Sequence, residues 1–228
     1  MPEALKFKFI TPLYDYFPIQ LKILSELRKE TAYSEENGVA INLLTILSCT
    51  AFIEGILFEN FENVIASERT NQVSEVINNI LTKIKNSLSG ASFNDYNKIS
   101  KEVLGQGLNH FTTNSTWEAM KIMFALRNKI VHGDILSIEY IRPKGGEYIR
   151  NEDNNYEAVI KFMIKEKLLE KGNVNISSIV SNKVIVFFTE ATKDFFRDIT
   201  TKLANKFKEP KWDNFLHLRE LLRQMELI

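Results

Sequence analysis

Residues 114–133 read NSTWEAMKIMFALRNKIVHG and carry both the start signal and the stop signal of one helix. Ser115 is followed three residues later by Glu118, which is the capping-box pattern of a helix N-terminus. Apolar residues then recur at helical spacing, and Gly133 stands where helices commonly end. The segment therefore predicts a single helix with both ends marked in the sequence.

The end of this predicted helix carries three polar residues, Arg127, Asn128 and His132. At about 100° per residue, Asn128 and His132 share a face, whereas Arg127 lies about 140° from His132. Asn128 can therefore contact the imidazole, but Arg127 cannot easily join them within one chain. A purely structural interpretation stays open, in which Arg127 packs its stem on the helix surface, Asn128 is a cap and His132 is a cation favoured by the helix C-terminus.

Most of the chain around this segment also shows helical periodicity. Further helices are predicted at about 18–30, 39–67, 70–88, 92–105, 151–172, 181–207 and 211–228. In the segment that ends at Gly172, a β-branched middle leaves a strand as the alternative. Residues 134–150 instead alternate and then break at Pro143, which predicts a small hairpin or an ordered loop. The pattern predicts an all-α bundle of about seven to eight helices with a small β-hairpin insertion near 135–150.

A chain of 228 residues that are 44% hydrophobic can bury one good core or two small ones, and we expect one main domain with additions. We expect an N-terminal extension with a short helix at 1–35 and a helical domain at 36–207. An insertion at 134–164 would follow the helix of residues 114–133, and a C-terminal helix would occupy 208–228. No repeat or low-complexity tract divides the sequence.

Charge and cysteine content exclude several classes of protein. Basic and acidic residues number 29 each, so no global positive field indicates nucleic acid or a membrane surface, and any RNA affinity must be local. The single Cys49 allows no disulfide framework within one chain, and three histidines make a His-rich metal site improbable. No window was expected to reach the ~20 apolar residues of a membrane span. The GQG of 105–107 is too short for a phosphate loop and predicts a bend. A cytoplasmic protein is expected.

Glu54 is the second residue that suggests a site. On a helical wheel of the predicted helix at 39–67, it lies opposite the polar side, at the centre of a stripe made of Leu43, Leu47, Leu57, Phe61 and Ile65. A carboxylate there is costly unless it is paired. Arg127 is the arginine that lies inside an apolar helix, so we expect it to pair with Glu54.

The sequence LRNKIVHG, residues 126–133, resembles the signature of the HEPN superfamily. In that signature an arginine, a polar residue directly after it and, after three intervening residues, a histidine lie at the end of a helix in a small α-helical bundle. Arg127, Asn128 and His132 match this pattern. The sequence LSCTAFIEGILFENF, residues 47–61, resembles the long early helix that many members carry with an acidic residue facing the motif. The resemblance extends more loosely over about 38–205.

The resemblance implies a metal-independent endoribonuclease without a cofactor, acting as a toxin or in antiviral defence. It also implies a homodimer with a composite active site. An antitoxin, such as a nucleotidyltransferase-like protein, is a partner to look for beside the RNA substrate. The first 35 residues, the 134–150 segment and the last helix lie outside the minimal bundle, so substrate and partner stay open.

Each residue of the motif has a role that RNA cleavage needs. RNA supplies its own nucleophile, the 2′-OH, and an imidazole such as that of His132 can accept or donate a proton near neutral pH. Arg127 would stabilise the charge on the phosphorane. Asn128 would orient the imidazole or donate to phosphate, Glu54 would hold Arg127, and Lys129 would bind RNA at the rim of the cleft. The competing hypothesis is a non-catalytic helical binding or scaffold protein in which Arg127 and His132 only tie helices together.

Overall fold

The computed structural model describes residues 16–29, 35–69, 74–132, 140–141, 149–150, 156–170, 174–206 and 223. Over these residues the chain is predominantly α-helical, as predicted. The elements are α1 (Phe17–Lys29), α2 (Glu35–Arg69), α3 (Glu75–Leu88), α4 (Phe93–Leu104), a 3-10 helix (Leu108–His110), α5 (Asn114–Val131), β1 (Tyr140–Ile141), β2 (Ile149–Arg150), α6 (Glu157–Lys165), α7 (Ile176–Ile179) and α8 (Asn182–Lys206).

The 35-residue α2 is the centre of the bundle and packs against α1, α3, α5 and α8. Phe52 of α2 stacks on Phe17 of α1 with ring centroids 4.0 Å apart, and it meets the edge of Phe196 of α8 at 5.0 Å. All three rings are almost completely buried. Burial of apolar surface around α2 therefore joins the first and last long helices of the described chain.

The side of α2 that carries Asn42 is also buried. The Asn42 amide, 3% exposed, donates hydrogen bonds to the Val180 carbonyl at 2.7 Å and to Asn182 Oδ1 at 2.9 Å. These bonds attach the start of α8 to α2. The polar side of α2 around Asn42 is thus a helix-packing surface.

The start of α5 differs from the prediction. The N-cap is Thr113, whose hydroxyl accepts from the Thr116 backbone N–H at 3.2 Å, so the predicted capping box of Ser115 and Glu118 is wrong. The helix starts earlier because the Asp198 carboxylate of α8 accepts a hydrogen bond from the Thr113 N–H at 3.0 Å and fixes the backbone directly before α5. Glu118 forms an ion pair with Lys165 of α6 instead.

The segment at 151–172 contains a helix and no strand among its described residues, but α6 spans Glu157–Lys165 and ends earlier than predicted. Lys167 has a φ of 57°, and the Leu168 N–H bonds back to the Met163 carbonyl, which together form a Schellman-type ending. The predicted stops at Gly133 and Gly172 lie outside the described residues. The predicted bend at 105–107 is confirmed, since Gly105 ends α4 with a φ of 74°.

One short antiparallel pair, Tyr140 with Arg150 and Ile141 with Ile149, lies inside the segment for which a hairpin is predicted. The predicted C-terminal helix at 208–228 lies outside the described residues apart from Arg223. The domain boundaries at 35 and 207 stay predictions.

By length and composition, one helix among the described residues could cross a membrane, contrary to the sequence expectation. This is residues Glu36–Ala66 of α2, and 61% of its most apolar window is buried inside the fold. Core helices of soluble proteins pass the same test, so the feature is weak evidence for a membrane protein.

Candidate functional site

Arg127 of α5 forms an ion pair with Glu54 of α2, as the sequence predicts. The distance between Arg127 Nη2 and Glu54 Oε2 is 3.2 Å, and the two side chains are 29% and 24% exposed. The pair is therefore neither fully buried nor freely solvated. It fixes the guanidinium at the boundary between the bundle core and water.

The side chain of Asn128 contacts that of Arg127. Its Oδ1 accepts a hydrogen bond from Arg127 Nη1 at 2.9 Å, so the expected contact between Asn128 and the imidazole of His132 is replaced by one with the preceding residue. Glu54 holds the guanidinium through Nη2, which leaves Nη1 within reach of the short Asn128 side chain. The amide NH₂ of Asn128 keeps two further donors for a ligand.

An open cleft of about 910 Å³ lies beside this trio, between α2, the turn that joins α3 to α4, and α5. Its described lining includes all three residues of the trio together with Lys121 of α5 and Phe58 of α2. Both of these additional side chains are exposed. The remaining wall is mostly small or apolar and includes Gly55, Leu88, Ser89, Gly90, Ala91, Ser92, Phe93, Ile122, Phe124 and Ala125.

His132 lies outside this cleft. It follows the last residue of α5, its backbone N–H donates to the Asn128 carbonyl at 3.0 Å, and its side chain is exposed. The described cleft lining does not include it. One chain thus places Arg127 and Asn128 in the described lining of the cleft and His132 outside it.

Lys129, the residue predicted to bind RNA at the rim, also lies away from the described cleft lining. Its Nζ stands 4.9 Å from the centre of the Tyr156 ring, a cation–π contact that stabilises the packing of α5 on α6. Lys121 takes the position in the cleft instead. The sequence spacing indicates that Lys121 and Asn128 share a face of α5, because they are seven residues apart, which is close to two helical turns.

The carboxyl of Glu54 has a pKa raised above its ordinary value. Partial burial is the main cause, since it disfavours the charged form, and the positive charge of Arg127 opposes it. Burial, with the negative charge of Glu54, also raises the pKa of Tyr96 to about 12, so this cleft phenol stays protonated at neutral pH. The described lining of the cleft carries two cationic side chains, Lys121 and Arg127, and one carboxylate, Glu54, so cations outnumber carboxylates there.

Among the residues that the structure describes, no group of three or more His, Cys, Asp or Glu could hold a metal ion. The cleft instead presents a guanidinium, an ammonium and amide donors. These groups suit an anionic oxygen ligand such as a phosphate, to which the Arg127 guanidinium offers a planar set of donors.

No family model, no curated protein and no solved structure matches this chain.

Proposed function

We propose that the chain is a metal-independent endoribonuclease with a HEPN-like bundle, acting as a toxin or defence effector in the cytoplasm. The observation that carries the proposal is the Arg127 guanidinium, held by Glu54 at the wall of an open cleft that also presents Lys121. A phosphate diester bound there would meet fixed positive charge and hydrogen-bond donors. Such prearranged groups stabilise developing charge without reorganising during the reaction.

In the proposed reaction the ribose 2′-OH attacks the adjacent phosphorus and loses its proton to a base. The bond from phosphorus to the 5′-oxygen breaks, and that oxygen takes up a proton. The products end in a 2′,3′-cyclic phosphate and a 5′-OH, so no water or metal is consumed. His132 carries one of the two proton transfers, and Arg127 with Asn128 donates to the non-bridging oxygens. Loss of one such donor typically costs roughly 3 kcal/mol of transition-state stabilisation.

The proposed enzyme is a homodimer, because the exposed His132 lies outside the cleft that Arg127 lines. A two-fold axis near the C-terminal end of α5 brings the same patch of two copies together. His132 of one copy then reaches the phosphate that Arg127 of the other copy binds. Two adjacent clefts also concentrate positive charge, which explains how a chain with 29 basic and 29 acidic residues could attract RNA.

A second candidate is a non-catalytic helical binding protein. It is favoured by the fact that two donors of Arg127 are already bonded to Glu54 and Asn128 within the chain. In this alternative the trio only locks α5 to α2. An antitoxin encoded beside the chain, as the family resemblance implies, would favour the nuclease.

The experiment that separates the two candidates is cleavage of a mixed-sequence, single-stranded RNA in excess chelator. We expect fragments with cyclic phosphate ends, and we expect Arg127→Ala to remove the activity. A matched control is Lys101→Ala, an exposed cation of α4 outside the described cleft lining. Purified protein that cuts only with added metal, or that cuts equally well as Arg127→Ala, would overturn the proposal.

A further inference from the structure

Phe58 is an exposed aromatic ring inside the cleft. Its side chain is 38% exposed, although most phenylalanines described in the chain belong to the core. It follows Glu54 by four residues on α2, so the two side chains share a face and are separated by about 6 Å along the helix axis. Both line the cleft. A group bound at Arg127, which Glu54 holds, therefore has an apolar aromatic surface one helical turn away.

The space beside Phe58 is left open by small residues. Gly55 precedes it by less than one turn of α2, and the turn between α3 and α4 contributes Ser89, Gly90 and Ala91 to the cleft. Gly90 has a φ of 75°, a conformation that glycine adopts readily and other residues avoid, and a Cβ there would meet no atom within 4 Å. These small residues therefore line the same open cleft as the Phe58 ring and add little side-chain volume to it.

Lys121 adds a cation to the same cleft. It precedes Arg127 by six residues on α5, which separates their backbones by about 9 Å along the axis. The described lining thus combines two cations, one exposed ring and small polar residues. Sites for single-stranded nucleic acid combine the same elements, namely positive charge along the backbone and an aromatic side chain on which a base stacks.

We propose that this cleft is a subsite for one unpaired nucleobase, which stacks on Phe58 while Arg127 holds the neighbouring phosphate. The proposal rests on the proposed function and identifies its substrate as RNA with an unpaired base at the cut. A duplex keeps its bases inside the helix and presents mainly phosphates and 2′-hydroxyls to a protein. Only an unpaired base can place its flat face on the Phe58 ring.

The test is binding by the His132→Ala protein, so that RNA is not consumed, with two fluorescent probes. One is a short single-stranded RNA of mixed sequence, and the other is an abasic strand with the same number of phosphates. Phe58→Leu, which keeps apolar packing without a ring, should bind the RNA about tenfold more weakly and the abasic strand unchanged. Phe58→Trp should bind the RNA at least as well as the parent.

The matched control is Leu44→Ala, because Leu44 is 52% exposed on the same helix but lies outside the described lining of the cleft. It should change binding of neither probe. If Phe58→Leu binds RNA as tightly as the parent while the wild-type chain still cuts RNA, the base subsite is wrong and the nuclease stands. If the wild-type chain neither binds nor cuts RNA, the nuclease proposal fails and the subsite fails with it.

Discussion

Arg127 and Glu54, 73 residues apart in the chain, meet at 3.2 Å between Nη2 and Oε2 where α5 crosses α2. Each is about a quarter exposed, so part of the attraction is offset by the loss of hydration of both charges. The main effect of the pair is positional, since it holds the guanidinium against the cleft. The raised pKa of Glu54 indicates that, for the ionised carboxyl, the loss of hydration outweighs the attraction to Arg127.

Stability should depend on pH through Glu54. The pKa of Glu54 in the folded chain is raised above its ordinary value of 4.5. The protonated carboxyl is therefore the form that the fold favours, and its full contribution to stability is present below pH 4.5. That contribution is lost as pH rises through the folded-state pKa. We expect the free energy of unfolding of the wild-type chain, minus that of Glu54→Gln, to fall as pH rises from below 4.5 toward neutral. Urea unfolding over a pH series measures this. A difference that grows with pH would mean that attraction to Arg127 outweighs desolvation.

Thr113 should matter more to stability than Ser115. Thr113→Ala removes the hydroxyl that accepts from the Thr116 N–H, and the loss of such a cap typically costs about 1 kcal/mol. Ser115→Ala lies inside the first turn of α5 and should cost clearly less. Thermal or urea unfolding of both variants compares them. Equal losses, or a larger loss for Ser115→Ala, would contradict the observed start of α5.

The contact between Glu54 and Arg127 could be predicted because an unpaired charge in an apolar environment is energetically unfavourable. A carboxylate at the centre of an apolar stripe needs a partner, and one arginine lay inside an apolar helix. The long helices α2, α5 and α8 were predictable for a similar reason, since periodicity over many residues and flanking polar residues agree.

The cleft could not be predicted, because it depends on how distant elements pack. Nothing in the local pattern of residues 88–92 places that turn near α5, and the exposure of Phe58 depends on which distant elements pack against α2. The start of α5 was mispredicted because Asp198, 85 residues away, fixes Thr113. The contact of Lys129 with Tyr156 could not be predicted either, because Tyr156 lies on another element, and the role of Lys129 in RNA binding stays a prediction.

His132→Ala should remove cleavage without unfolding the chain. The side chain is exposed at the end of α5, so we expect a change of no more than about 0.5 kcal/mol in the free energy of unfolding. Loss of a general acid or base should lower the rate at least about a hundredfold. The matched control is His110→Ala, an exposed histidine outside the described cleft lining, which should cut normally. Normal cleavage by His132→Ala would remove this residue from the reaction.

Lys121→Gln should reduce the salt dependence of RNA binding. If Lys121 contacts one phosphate of a single strand, the slope of log affinity against log salt concentration should become shallower by about 0.7. Lys101→Gln removes an equal charge from α4 outside the described cleft lining and should leave the slope unchanged. Fluorescence anisotropy over a salt series gives both slopes. Equal slopes for the two variants would show that Lys121 does not contact the RNA backbone.

The central claim is that Arg127 of one copy and His132 of another act on the same phosphate, and complementation between two inactive variants tests it most directly. Arg127→Ala and His132→Ala chains are unfolded together, refolded as a mixture and incubated with RNA in excess chelator. Mixed dimers contain one site with an intact Arg127 from one chain and an intact His132 from the other. We expect the mixture to cut RNA, although neither variant cuts alone. A mixture as inactive as its components, beside a wild-type chain that is active after the same refolding, would contradict the composite site.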